Sequence, residues 1–268
     1  MKKSYTTYLS YPTLMLLLLG LLAVSCSGSG EEPAGIRLTS SANSIPPRLI
    51  AHRGYWSKGG ASQNSASSLR SAFEEPRYLG AEIDIRKTAD GVLVLAHDSD
   101  INGVSVEDNT FSAISLQRLS NGESAPTLDQ ALDILSSYPG KILALDIKTS
   151  DSESIIEAVR DYAHLDRLVF MSFSAKVCRE LREAGFEPVY LLAWDIAELD
   201  IDDCLNRSLT GISIYANSLF DNPLLLSEFI NCGLNVYAWE ATKAADVEKL
   251  FNMGVDRVIT DLHPVNRR

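Results

Sequence analysis

From Arg48 to Asp261 the hydrophobic positions follow two alternating rhythms. Short aliphatic and β-branched runs read as strands at Leu49–His52, Ala81–Arg86, Val92–Ala96, Ile142–Ile147, Leu168–Ser172, Val189–Ala193, Gly211–Tyr215, Val236–Trp239 and Arg257–Thr260. Between them, apolar residues recur at three- and four-residue spacing over Ser65–Tyr78, Leu128–Ser137, Glu153–Tyr162, Ala175–Ala184, Pro223–Cys232 and Ala244–Met253, which predicts amphipathic helices. Strands alternating with helices build parallel sheets, because each crossover helix covers the sheet between successive strands. About 215 residues in one such series, with no internal break in composition, fit an α/β fold of the (βα)8 TIM barrel type. An open, doubly wound sheet is the competing architecture.

Nine candidate strands are one too many for a simple barrel, and the surplus is local. Too few residues separate Arg86 from Val92 for a parallel crossover, so these strands must form a hairpin between the second and third strands. Asp90-Gly91 suits a two-residue type I′ turn, which needs φ > 0 at both central positions. That turn pairs Ala89 with Val92. Counting outward sets Asp84 opposite His97, with Glu82 on the same face.

The ends of the chain change the picture of where it works. Lys2 and Lys3 precede an almost wholly apolar run, Leu14 to Ala23, that is short for a membrane span and ends in Val24-Ser25-Cys26. This resembles a bacterial lipobox. The resemblance implies a signal peptide over residues 1–25, cleavage before Cys26, and lipidation of its thiol. Residues 26–47, small and polar, read as a flexible tether, which leaves 48–268 as the folded domain. The expected location is the cell envelope, periplasm-facing or on the outer surface, with membrane contact through the lipid anchor.

Removing residues 1–25 moves the formal charge from −11 to −13. So acidic a surface argues against nucleic acid, whose binders carry basic patches, but leaves room for a phosphate ligand beside a metal ion. Cys178, Cys204 and Cys232 show neither zinc nor redox spacing. They read as ordinary small apolar residues, Cys178 and Cys232 inside helical patterns.

The candidate chemistry gathers at strand ends. Ile50-Ala51-His52-Arg53-Gly54 closes the first strand, Glu82-Ile83-Asp84 lies on the second, and His97-Asp98 follows the third. This resembles the His-Arg, Glu-x-Asp, His signature of the glycerophosphodiester phosphodiesterases, the PLC-like phosphodiesterase type of barrel. Leu145-Asp146-Ile147-Lys148, Ser172-Phe173, Tyr237-Ala238-Trp239 and Gly254-Val255-Asp256 to Thr260-Asp261 are similar to later segments of that family. Together these matches run from about Leu49 to Pro264.

A phosphodiester anion repels nucleophiles, so its cleavage needs charge neutralisation, a proton acceptor and a proton donor. Two carboxylates facing one way along a strand suit a hard divalent cation. The resemblance assigns Glu82, Asp84 and Asp146 to that cation, Mg²⁺ or Ca²⁺, and assigns the phosphate to Arg53 and Lys148. It makes His52 and His97 the proton carriers, either one as acid or base, since imidazole titrates near neutral pH. Trp239 would pack against the glycerol end. The implied reaction is hydrolysis of a small glycerophosphodiester to glycerol 3-phosphate and an alcohol, with a substrate hydroxyl attacking first. His164 and His263 read as surface residues.

Two positions depart from the pattern. Where the family has Pro-Glu-Asn-Thr, this chain has Ser62-Gln63-Asn64-Ser65, so Gln63 keeps an acceptor oxygen without the charge and, with Asn64, fits a supporting role behind the ligands. The third carboxylate is Asp146 in place of glutamate, as in the related venom phospholipase D barrels. The stretch after His97 is brief and polar, which implies an open cleft mouth. Two other readings remain: cleavage of intact phospholipids, for which Phe220, Leu224, Leu225 and Leu226 could form an apolar lip, and an inactive barrel that binds a ligand at the cell surface.

Overall fold

The computed structural model describes residues 48–262. The expected leader, Cys26, the tether and His263 lie outside the described residues. The chain enters through β1 (Leu49–Ala51) and β2 (Tyr78–Lys87), turns back through β3 (Leu93–Leu95), and makes a small hairpin of β4 (Asp100–Ile101) and β5 (Val104–Ser105). It then adds β6 (Ile142–Ile147), β7 (Leu168–Ser172), β8 (Val189–Ala193), β9 (Gly211–Tyr215), β10 (Asn235–Trp239) and β11 (Arg257–Thr260). The helices are α1 (Ala66–Glu74), α2 (Phe111–Ile114), α3 (Leu128–Ser136), α4 (Ser152–Val159), α5 (Ala175–Glu183), α6 (Ile201–Asn206), α7 (Ala216–Asp221), α8 (Pro223–Asn231) and α9 (Ala244–Asn252).

The sheet closes on itself. Parallel pairing runs β1-β2-β6-β7-β8-β9-β10-β11, and β1 pairs with both β2 and β11. This is the TIM barrel, and the open-sheet alternative is excluded by the β1–β11 pairing. The side-chain period of two sorts each strand between two cores. Val169, Met171, Tyr190, Leu192 and Tyr237 fill the barrel interior, while Leu168, Phe170, Val189 and Leu191 pack outward under the helices. Burial on both faces explains why these strands read as continuous apolar runs.

Several helices start at side-chain caps, as the sequence of polar residues before each apolar stripe requires. Ser65 and Thr127 head capping boxes with Ser68 and Gln130, and Asp151 and Ser174 accept from the first turns of α4 and α5. The short helices α2, α6 and α7, and the β4–β5 hairpin, were not legible in the periodicity, being shorter than two helical turns or only two residues per strand.

The β2–β3 hairpin forms, but its register corrects the expectation by one residue. Ile85 pairs with Leu95 and Lys87 with Leu93, and the Ala96 N–H donates to the Asp84 carbonyl, so Asp84 faces Ala96 and not His97. The turn is a residue longer than a type I′ loop. Gly91, at φ 90°, donates its N–H to the Thr88 carbonyl, and Thr88 Oγ1 accepts from the Val92 N–H. His97 therefore lies beyond the ladder, where strand alternation no longer dictates its direction.

Residues 97–127 are more than a polar loop. Val94, Ala96, Ile101, Val106, Ile114 and Ala125 form a separate small core there. This excursion also braces the β1–α1 connection: Asn121 donates its N–H to Ser62 Oγ, and the Ser62 and Ser120 hydroxyls lie 2.7 Å apart.

Candidate active site

Parallel register creates the acidic centre. Asp84 of β2 lies directly beside Asp146 of β6, and Glu82, two residues earlier, shares the face of Asp84. All three are buried, and their carboxylate oxygens lie within 4.8 Å of one another. Three acids so placed raise one another's cost of ionisation. Burial, and then the charge of Asp84, push Glu82 up to about 8. Burial likewise raises Asp146, with Lys148 opposing it. Burial also works against Asp84, but Lys148, a hydrogen bond from Asn64 and the charge of Arg53 hold its carboxyl below the ordinary value.

Lys148 is the cation among these acids. Its Nζ lies 2.5 Å from Asp146 Oδ2 and 3.1 Å from Asp84 Oδ1. Asp146 Oδ1 stays buried without a hydrogen-bond partner. A buried carboxylate oxygen left unsatisfied among two further carboxylates is what a hard divalent cation would satisfy, so the residues present fit a metal.

The turn after β1 aims the phosphate-side groups. Arg53 and Gly54 both take positive φ, 53° and 78°, reversing the chain, and a Cβ on Gly54 would sit 2.4 Å from Ser68 Oγ. The reversal lets the Arg53 N–H donate to Glu82 Oε2 at 2.9 Å. The Arg53 guanidinium donates to Gln63 Oε1 at 2.8 Å and lies 3.5 Å from Asp84. Asn64 donates to Asp84 Oδ2 and accepts from the Asp84 N–H, clamping that residue at both ends. Gln63 thus spends its oxygen on Arg53, while Asn64 backs Asp84.

The two sequence-chosen histidines line the same pocket, about 330 Å³, with Arg53, Glu82, Asp84, Asp146, Lys148 and Trp239. Their settings differ. His52 Nδ1 lies 3.0 Å from Glu240 Oε2 and 3.2 Å from Asp261 Oδ1, and Trp56 Nε1 donates to the same Asp261 oxygen. Burial opposes charge on His52, but the bonds to Asp261 and Glu240 outweigh it and lift the imidazole to about 10. His97 is more exposed and touches Asp98 at 2.8 Å. Its backbone is pinned instead, since Arg86 Nε and Nη2 both donate to the His97 carbonyl. His164 is exposed, its ring edge-on to Tyr162. Cys178 and Cys204 are buried and Cys232 is exposed, just past α8 and not within it.

The other side of the pocket is aromatic. Phe173, Trp194, Tyr215 and Trp239 stand at the ends of the consecutive strands β7 to β10, with ring centroids 4.5 to 6.2 Å apart between neighbours. Trp239 Nε1 donates to the Ser213 carbonyl, which fixes the indole edge. Phe173 and Trp194 are 42% and 61% exposed. The apolar lip expected at Phe220 and Leu224–Leu226 does not border this pocket: Leu226 is buried in the core, and none of the four lines it.

Sequence reasoning missed Glu240, Trp194 and Tyr215 and gave Asp261 no role. The available signal was position, because residues at or just past the C-terminal ends of barrel strands face the mouth.

The model of the glycerophosphoryl diester phosphodiesterase family matches residues 52–263. A glycerophosphodiester phosphodiesterase of Caldanaerobacter subterraneus is 22% identical over 236 residues, covering 80% of this chain and 93% of that one. Among solved structures, a glycerophosphodiester phosphodiesterase from Parabacteroides distasonis superposes with a TM-score of 0.74 at 29% identity, over 80% of this chain and 92% of that one. An Oleispira antarctica phosphodiesterase solved with the product sn-glycerol-3-phosphate shares the fold, at a TM-score of 0.71 and 23% identity, over 82% and 95% of the two chains.

Proposed function

This chain belongs to the glycerophosphoryl diester phosphodiesterase family, matched over residues 52–263, and from that premise we propose that it hydrolyses glycerophosphodiesters to glycerol 3-phosphate and an alcohol. The observation that carries the reading is one pocket lined by two imidazoles, three buried carboxylates, Arg53 and Lys148.

Glu82, Asp84 and Asp146 would hold a divalent cation, Mg²⁺ or Ca²⁺, which when bound supplies Lewis-acid neutralisation of the phosphate charge. The protein's own groups do the rest. Arg53, steadied by Gln63, offers guanidinium donors to phosphate oxygens, and Lys148 turns from its carboxylates toward the same anion. One histidine accepts the proton of the attacking hydroxyl and the other donates to the departing alkoxide. Trp239 packs against the glycerol carbons. Attack by a substrate hydroxyl next to the phosphate gives a cyclic phosphate, which water opens.

The domain would comprise residues 48–268, held at the cell envelope by diacylglycerol on Cys26 and spaced from the membrane by residues 26–47. Metabolic labelling with an alkyne fatty acid tests the anchor, with label lost in Cys26→Ser. The activity is tested with glycerophosphocholine. Choline and glycerol 3-phosphate should appear together, stop on chelation and return with Mg²⁺ or Ca²⁺. Phosphocholine and glycerol as products would refute the assigned bond cleavage.

A further inference from the structure

The chain enters the barrel at the end opposite the pocket. Arg48, just before β1, bonds through its side chain to the Val255 and Asp256 carbonyls and stacks on Phe251, so the entry point is fixed beside the α9–β11 connection. Cys26 stands twenty-two positions before Arg48, a length that reaches ~75 Å fully extended. A domain of this size is ~45 Å across. A tether that long leaves either end of the barrel free to meet a membrane, and surface charge decides between them.

The two ends differ in charge. At the mouth, residues 97–127 hold five Asp or Glu and one Arg, and residues 194–200 hold three acids and no base. At the entry end, residues 160–167 together with 207–210 hold three Arg and two Asp. Cations there also cover helix carbonyls, which offsets the negative ends of the helix dipoles. Arg167 donates to the Leu135 and Tyr138 carbonyls, and Lys141 to those of Glu75 and Tyr78. An anionic surface therefore repels the mouth far more than the entry end.

One groove at the entry end suits a phosphate. Helices α5 and α6 both finish there, and Arg179, Arg182, Asn206, Arg207 and Ser208 line a space of about 330 Å³, with Glu183 as the one acid of the lining. Arg182 is occupied by Glu187 and the Phe186 carbonyl. Arg179 and Arg207 pair with Glu183 and Asp203 through Nε, and among the described residues their terminal nitrogens hold no hydrogen bond. A guanidinium fork matches the spacing of two phosphate oxygens.

We propose that this groove takes the phosphate of an anionic phospholipid in the membrane that holds the anchor, so that the barrel stands entry end down and its mouth opens away from the bilayer. Diesters then reach the pocket from solution and not from the bilayer beneath. The inference rests on the proposed lipid anchor at Cys26.

The test uses the full lipidated chain in vesicles of phosphatidylcholine containing phosphatidylglycerol. A dye on Cys232, exposed at the entry end, is compared with a dye on Lys58→Cys, at the mouth, in a chain that also carries Cys232→Ser; Cys178 and Cys204 are buried. Nitroxide lipid headgroups should quench the Cys232 dye at least about threefold more strongly, because the two positions lie at opposite ends of strands ~17 Å long. That ratio should fall toward one in pure phosphatidylcholine, at high salt, and in Arg179→Gln with Arg207→Gln. Choline release from glycerophosphocholine should be unchanged in the double variant, which also shows that it folds. A ratio of one or less in the anionic vesicles, or one unmoved by salt or by the double substitution, overturns the proposal.

A chain that carries no diacylglycerol and stays off the vesicles fails the anchor reading instead. The groove is then judged by calorimetric titration with dihexanoyl phosphatidylglycerol. Saturable binding that the double variant loses supports the groove as a headgroup site, and no binding overturns it.

Discussion

The mouth of this barrel has two halves built by one rule with opposite chemistry. Strands β1, β2 and β6 carry or run directly into His52, Arg53, Glu82, Asp84, Asp146 and Lys148, whereas β7 to β10 end beside Phe173, Trp194, Tyr215 and Trp239. In the charged half hydrogen bonds and ion pairs tie the side chains to one another, and the parts lock one another. Asn64 clamps Asp84, Gln63 holds Arg53, and Glu240 with Asp261 holds His52. In the aromatic half contacts are ring against ring, and two of the four rings are substantially exposed. A reacting centre needs groups held to a fraction of an ångström, while a recognition surface needs only shape and apolar area. The contrast predicts that changes on the charged side stop turnover and changes on the aromatic side alter which diester is turned over.

The largest break should come from Glu82→Gln. Removing a carboxylate from the proposed cation site should cost on the order of 10³-fold in kcat, the equivalent of about 4 kcal/mol of lost stabilisation, as read by choline release from glycerophosphocholine. Retention of activity within tenfold would remove Glu82 from the site. A smaller loss is expected from Arg86→Met, which touches no substrate. Freed of its bidentate partner, the His97 carbonyl should drift, lowering kcat by about tenfold with little change in KM, because misplacement of the proton carrier proposed at His97 would be felt in the chemical step. Smaller again is Phe173→Ala, for which kcat and KM on glycerophosphocholine should each change by less than about threefold.

The charged half should also reveal itself in stability without substrate. Glu82, raised to about 8, and His52, raised to about 10, both bind protons more tightly folded than unfolded. The two differ in consequence. The favourable His52 contribution is complete below about pH 6.5 and is lost as pH rises through about 10, while Glu82 adds an ionisation cost that grows from about pH 4.5 to about 8. Metal-free protein should therefore melt lower at pH 9 than at pH 6, by several degrees. Saturating divalent ion should narrow the gap, because a cation favours ionised Glu82. A melting temperature independent of pH over this range would contradict the assigned proton affinities.

How far the fold was legible follows from what each pattern constrains. The limits of β6, β7, β8, β9 and β11 were readable to the residue because parallel strands buried on both faces are unbroken apolar runs. The hairpin slipped by one because Asp90-Gly91 serves loops of two or three residues alike, and the choice was made by the Thr88 hydroxyl bridging Asp90 and Val92. Residues 97–127 looked like plain loop because their small core draws on scattered apolar positions, with no period long enough to register. In the site, Glu82, Asp84 and Asp146 were visible as a motif and a register, but Glu240 carries no local signal. Only closure of the barrel brings β10 and β11 beside β1 and so sets Glu240 and Asp261 against His52.

Crystals grown with Mn²⁺ and measured at its absorption edge test most directly whether a cation binds among Glu82, Asp84 and Asp146. One strong anomalous peak is expected between those three carboxylates, with Lys148 Nζ moved away from Asp146. A peak at His52, Glu240 and Asp261, where oxygen and nitrogen donors also converge, with none between the three carboxylates, would contradict it.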